Sequence, residues 1–135
     1  MKTLFATTVD MAGGREGRAV ARDGKLDLTL TFPAAQRGSG AGTNPEQLFA
    51  TGLAVCFNTS LRVSAKSLGL DAGEATVSAK AGLTVGEDGA YGITADLVAI
   101  TPGVAGDDRH RLVAEAKRVC ACSNLMKGLG VMSVA

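Results

Sequence analysis

The sequence predicts an α+β domain with mostly antiparallel strand pairing, and three features of its patterning carry that prediction. Apolar and polar residues alternate with period two near the start of the chain and again between residues 75 and 100. One long apolar stretch, residues 46–68, has helical length and opens on an Asn-Pro pair. Glycine-rich turns, drawn from 18 glycines, separate these segments.

In chain order, Thr3, Phe5, Thr7 and Val9 alternate with Leu4, Ala6, Thr8 and Asp10, which reads as a first strand. Residues 13–18 form a turn, residues 19–21 a second strand, and residues 22–25 an Asp-Gly hairpin turn. Residues 26–32 place Leu26, Leu28, Leu30 and Phe32 on one face of a third strand. A Gly/Ser-rich loop covers 33–42. Asn44 then stands as a helix N-cap, with Pro45 at the first helical position and Gln47 three residues after the cap. The helix runs to about Leu68 and stops at Gly69; its first half is apolar nearly all round, as in a core or an interface. Residues 75–85 and 91–100 make a hairpin around the turn at 86–89. Asp107 or Asp108 caps a second helix reaching about Cys120, and after Gly128-Leu129-Gly130 a short strand closes the order β-β-β-α-β-β-α-β.

Composition excludes several classes. The chain has 135 residues, which suits one domain spanning 1–135. Fourteen basic against 13 acidic residues leave a formal charge of +1 and no electrostatic reason to expect a nucleic acid or an anionic membrane as partner. Hydrophobic residues reach 46% with only 4% aromatics, so the core is aliphatic. The opening residues lack the apolar centre of a secretory signal, and the longest apolar run, 48–57, is about half the roughly 20 residues of a membrane span. A cytoplasmic location follows as the expectation, and there three cysteines serve catalysis, metal binding or packing rather than structural bridging.

Cys56 lies midway along the most apolar helix. A thiol in apolar surroundings is inert unless a cation stabilises its thiolate, so Cys56 is either a small core residue or a nucleophile with a basic partner. Cys120 and Cys122 form a C-x-C. Structural zinc wants four ligands, and His110 is the only histidine, so no metal site and no cofactor is expected. A redox partnership fits better: a thiolate attacks a peroxide, becomes a sulfenic acid, and condenses with a second cysteine.

Four blocks, Gly13-Gly14-Arg15-Glu16-Gly17-Arg18-Ala19-Val20, Gly42-Thr43-Asn44-Pro45-Glu46-Gln47-Leu48-Phe49-Ala50, Ala54-Val55-Cys56-Phe57 and Val119-Cys120-x-x-Ser123-Asn124, together resemble the organic hydroperoxide resistance branch of the Ohr/OsmC superfamily. The likeness spans nearly the whole chain, and the blocks stand in that family's order. The resemblance implies an OsmC-like fold of mostly antiparallel sheets on a long central helix, in an intertwined homodimer with two sites at the subunit interface. It implies a thiol peroxidase that reduces organic hydroperoxides to alcohols and is itself reduced by a dihydrolipoyl-bearing protein or another dithiol. Carried over by residue, Cys56 is the peroxidatic nucleophile, Cys120 the resolving cysteine, Arg15 the cation beside the thiolate, and Glu46 the carboxylate that orients Arg15.

Physical chemistry is consistent with those roles. A guanidinium presents a planar fork that can bond a carboxylate and a thiolate together, and it can stabilise charge developing on the departing alkoxide. Glu46 and Cys56 stand ten residues apart, about 15 Å along a straight helix and about 80° off the same face. A helix break near Gly52 or a second subunit has to close that gap. Each residue also has a plainer role: Glu46 favours the helix dipole, Arg15 can be a solvated turn charge with Arg18 as rival, and Cys120 can simply be packed. Phe49, Leu53, Phe57 and Met126 could line an apolar substrate pocket or the core.

The chain departs from the family pattern at several points. Leu53 stands where the family often has Tyr, and the segment from Cys120 to Gly128 lacks the usual Pro, Tyr and Arg. Cys122 occupies the Tyr position, which leaves the choice of resolving thiol open. The loop 33–42 is one residue shorter than usual. Two other readings stand beside the main one: an OsmC-type peroxidase of broader peroxide range, and a non-enzymatic redox sensor or small-ligand carrier on the same fold.

Overall fold

A computed structural model describes residues 1–127 and the strand Met132–Val134. The glycine turn expected at 128–130 lies outside the described residues. The chain divides into two compact units, Met1–Leu48 and Phe49–Ala135.

In the first unit, β1 (Val9–Ala12), β2 (Arg18–Ala21) and β3 (Asp27–Thr29) form an antiparallel sheet in that order. The first strand is shorter than its alternation predicts. Its pairing begins at Val9↔Ala21, and β2 turns away immediately after Ala21, so residues 3–7 find no strand opposite them and lie exposed. The third strand is likewise cut to three residues, because β2 offers it partners only from Arg18 to Val20. Beyond that, Leu30 donates its amide to the Gly17 carbonyl at 2.8 Å, and Leu30 pairs in parallel with Thr43 through a single bridge. The hairpin turn at 22–25 is as expected, with Gly24 at φ +74° and the Lys25 amide donating to Asp23 Oδ1 at 3.0 Å.

Helix α1 (Pro45–Leu68) begins as its cap chemistry dictates: the Gln47 amide donates to Asn44 Oδ1 at 2.8 Å. It ends on Gly69 at φ +70°, where the Leu70 amide donates to the Ala65 carbonyl at 2.8 Å and that of Gly69 to Lys66 at 3.4 Å. That double closure satisfies carbonyls the last turn would otherwise leave bare. The helix runs unbroken through Gly52.

In the second unit, β4 (Thr76–Val85) and β5 (Tyr91–Ile100) pair antiparallel over ten residues, and β6 (Met132–Val134) joins β5 in parallel. Leu53, Phe57, Leu61 and Ala65 recur every fourth residue of α1 and build a buried stripe. Ala95 and Leu97 from one face of β5 and Leu112 and Ala116 from α2 (Gly106–Val119) complete the same core. By length and composition α1 is long and apolar enough to cross a membrane; 33% of its most apolar window is buried inside the fold, and Phe57 and Leu61 are fully buried in the core.

One expectation about the C-terminal helix needs correction. Ala105, not Asp107 or Asp108, is the N-cap of α2; both aspartates fall inside the first turn, where they favour the positive end of the helix. The end of α2 near Cys120 is as expected; after Cys120, which has extended backbone angles, a further short helix follows, α3 (Ala121–Met126), that the sequence pattern did not announce. The architecture is α+β, with mostly antiparallel sheets and one long helix.

Candidate active site

Arg15 and Glu46 meet within the first unit. Arg15 lies in a 3-10 turn, Gly14–Glu16, between β1 and β2. Gly17 is required there by close approach, since a Cβ would fall 1.8 Å from the Ala12 carbonyl oxygen. Glu46 occupies the first turn of α1. The guanidinium grips the carboxylate with both prongs, Nη1 to Oε2 at 2.9 Å and Nη2 to Oε1 at 2.6 Å. The side chains are 26% and 12% exposed, so the pair is partly shielded from water. The hydrogen bond from Arg15 holds the Glu46 carboxyl below the ordinary carboxylate range, against the opposing effect of burial. Arg18, the rival cation, is committed elsewhere: it forks onto Asp27 across β2 and β3, on an exposed surface.

The thiols meet in the second unit. Cys56, at mid-length of α1, has its Sγ 3.4 Å from Sγ of Cys120, and all three cysteines are free. A disulfide needs about 2.05 Å, so closure requires roughly 1.4 Å of side-chain movement. Cys120 sits at the break between α2 and α3. Cys120 is wholly buried, whereas Cys56 and Cys122 are partly exposed. Burial pushes the Cys120 thiol up, but hydrogen bonds from the Ser123 hydroxyl and amide, then from Cys56, bring it below its ordinary value. Ser123 is the residue whose role sequence reasoning missed; its position three residues after the Cys120 cap was the available signal. Cys122 Sγ sits 4.0 Å from the Gly52 carbonyl of α1.

Of the four apolar residues considered for a pocket, Leu53 and Phe57 are buried in the core. Phe49 and Met126 are partly buried against it. Among the described residues, no group of three or more His, Cys, Asp or Glu side chains is arranged to hold a metal ion.

Comparison with known proteins identifies the family of the chain. The sequence profile of the family described as OsmC-like protein matches residues 38–131. The organic hydroperoxide resistance protein of Xanthomonas axonopodis pv. citri (strain 306) is 38% identical over 130 residues, covering 94% of this chain and 90% of that protein. A solved structure of an organic hydroperoxide resistance protein OsmC from Legionella pneumophila matches with TM-score 0.93 at 32% identity, over 98% of this chain and 97% of that one. The organic hydroperoxide resistance protein OhrB of Bacillus subtilis matches with TM-score 0.85 at 32% identity, over 98% of each chain. With such likeness over nearly its whole length, the chain belongs to the OsmC-like family, on the organic hydroperoxide resistance branch.

Proposed function

We propose that the chain is a cysteine-based peroxidase that reduces organic hydroperoxides to alcohols through a Cys56 sulfenic acid and a Cys56–Cys120 disulfide. The observation that carries this reading is the pair of free thiols 3.4 Å apart, one partly exposed and the other buried. The Cys56 thiolate attacks the distal oxygen of the hydroperoxide, the O–O bond breaks, and the alkoxide leaves and takes up a proton as the alcohol. The Cys120 thiolate then attacks Cys56 Sγ, and hydroxide leaves as water once protonated. A dithiol, such as a dihydrolipoyl group on a partner protein, returns both sulfurs to thiols by exchange.

Arg15, held by Glu46, is the cation that stabilises the Cys56 thiolate and the developing alkoxide. Because α1 is continuous through Gly52, the helix offers no break to bring Glu46 back toward Cys56 of its own chain. The reading therefore takes the Arg15–Glu46 pair from a second copy, in a homodimer. Full activity from a monomer in solution would overturn that part.

The peroxidase test is a single-turnover thiol titration. Reduced protein receives one equivalent of an alkyl hydroperoxide, and separately of hydrogen peroxide. The expected result is rapid loss of two thiols, faster with the alkyl substrate because Phe49 and Met126 favour an apolar tail. A rate no greater than that of a free thiol would refute the peroxidase and leave the sensor or carrier reading.

A further inference from the structure

We propose that Cys122 is a third redox thiol: it attacks Cys56 Sγ of the Cys56–Cys120 disulfide, expels Cys120, and leaves a Cys56–Cys122 bond for the external dithiol to reduce. The proposal rests on the peroxidase reading above. Its geometric basis is the placement of all three sulfurs on one patch. Cys122 Sγ lies 4.0 Å from the Gly52 carbonyl, and in an α-helix that carbonyl is the acceptor for the Cys56 amide. Cys122 thus covers the turn of α1 that carries Cys56, and both pack against the same core. Cys122 hydrogen-bonds to Cys56, whereas Cys120, the extended N-cap of α3, acts on it through charge alone. Cys56 is therefore the sulfur that Cys122 reaches.

The state of each thiol sets the order of events. Burial first, then the hydrogen bond and charge of Cys56 and the charge of Cys120, push the Cys122 thiol up to about 11. In the reduced protein it stays protonated while Cys120 supplies the thiolate that resolves the sulfenic acid. Once Cys56 and Cys120 are joined, neither carries charge, and burial alone opposes ionisation of Cys122. In the exchange the lower-pKa thiol leaves faster, which makes Cys120 the departing sulfur. One S–S bond breaks as another forms, no electrons enter or leave, and the proton lost by Cys122 ends on Cys120. The disulfide has moved from a wholly buried sulfur to a partly exposed one, where an incoming thiol can attack.

The test follows the third thiol in the native sequence. Reduced protein is mixed with one equivalent of alkyl hydroperoxide, quenched in acid at intervals and alkylated. The free cysteine is then located by fragmenting the peptide that contains both Cys120 and Cys122. The expected course is Cys122 free at early times and Cys120 free later. In parallel, oxidised Cys122→Ser is expected to be reduced by dihydrolipoamide at least about tenfold more slowly than the parent. Cys122 free at every time, with the variant reduced at the parental rate, overturns the relay and leaves the peroxidase standing. Cys56 still free after peroxide overturns the peroxidase reading itself.

Discussion

Replacing Glu46 by Gln keeps the shape of the side chain and removes the charge that Arg15 grips. Two charge-assisted hydrogen bonds are lost or weakened, at 2.9 and 2.6 Å. Bonds to charged groups contribute about 1.5–3 kcal/mol when well shielded. Here side-chain exposures of 26% and 12% let water screen part of that. Gln retains one acceptor, but the favourable charge in the first turn of α1, about 0.3–1 kcal/mol, is lost as well. The expected destabilisation is about 1–2 kcal/mol at pH 7, measured by urea denaturation. Its pH dependence is the sharper check. The folded-state pKa of Glu46 is depressed, so its contribution is fully present above the ordinary value of 4.5 and fades as pH falls through the lower folded value. The gap between parent and variant should therefore be largest near neutrality and close in acid. A gap that stays constant from pH 7 to pH 3, or is below about 0.3 kcal/mol at pH 7, would refute the reasoning.

Other perturbations test other links. Arg15→Ala should slow oxidation of Cys56 by an alkyl hydroperoxide by about tenfold or more, followed by stopped-flow thiol loss; an unchanged rate would remove Arg15 from the chemistry. Asn44→Ala removes the cap bond to the Gln47 amide and should cost about 1 kcal/mol in urea denaturation, with Asn44→Asp nearly neutral. Leu112→Ala hollows the contact between α2 and the core; since Leu112 is fully buried, about 2–5 kcal/mol is expected by the same measurement.

How much was legible in the sequence depended on whether the deciding interaction was local. Asn44, Pro45 and Gln47 determine the start of α1 through contacts within four residues, and Gly69 determines its end through φ, so both boundaries could be read directly. The hairpin of β4 and β5 could be read because the turn between them fixes the register. Residues 3–7 carried an equally good alternation and are not a strand, because strand formation needs a partner and β2 stops at Ala21. The end of α2 near Cys120 could be read from the pattern, but α3 could not, because its six residues are too few to show a helical period. The candidate site divides the same way. Arg15, Glu46, Cys56 and Cys120 were found through motif blocks. The contribution of Ser123 and the seating of Cys122 over Gly52 depend on how α3 meets α1, which no local pattern encodes.

The joint between α2 and α3 bears on how cheaply the site can cycle. At Cys120 the backbone serves both helices: its amide donates to Ala116 at 3.0 Å, its carbonyl accepts from Asn124 at 2.9 Å, and the Asn124 side chain donates to the Arg118 carbonyl at 3.0 Å. Both main-chain polar groups of Cys120 are occupied in the reduced protein. Bringing two sulfurs together is then a matter of side-chain torsion, which leaves the amide and carbonyl of Cys120 in place. Amide hydrogen exchange at 120 and 124 should accordingly be alike in reduced and oxidised protein, the mark of a hinge that stays latched while the sulfur it carries turns over.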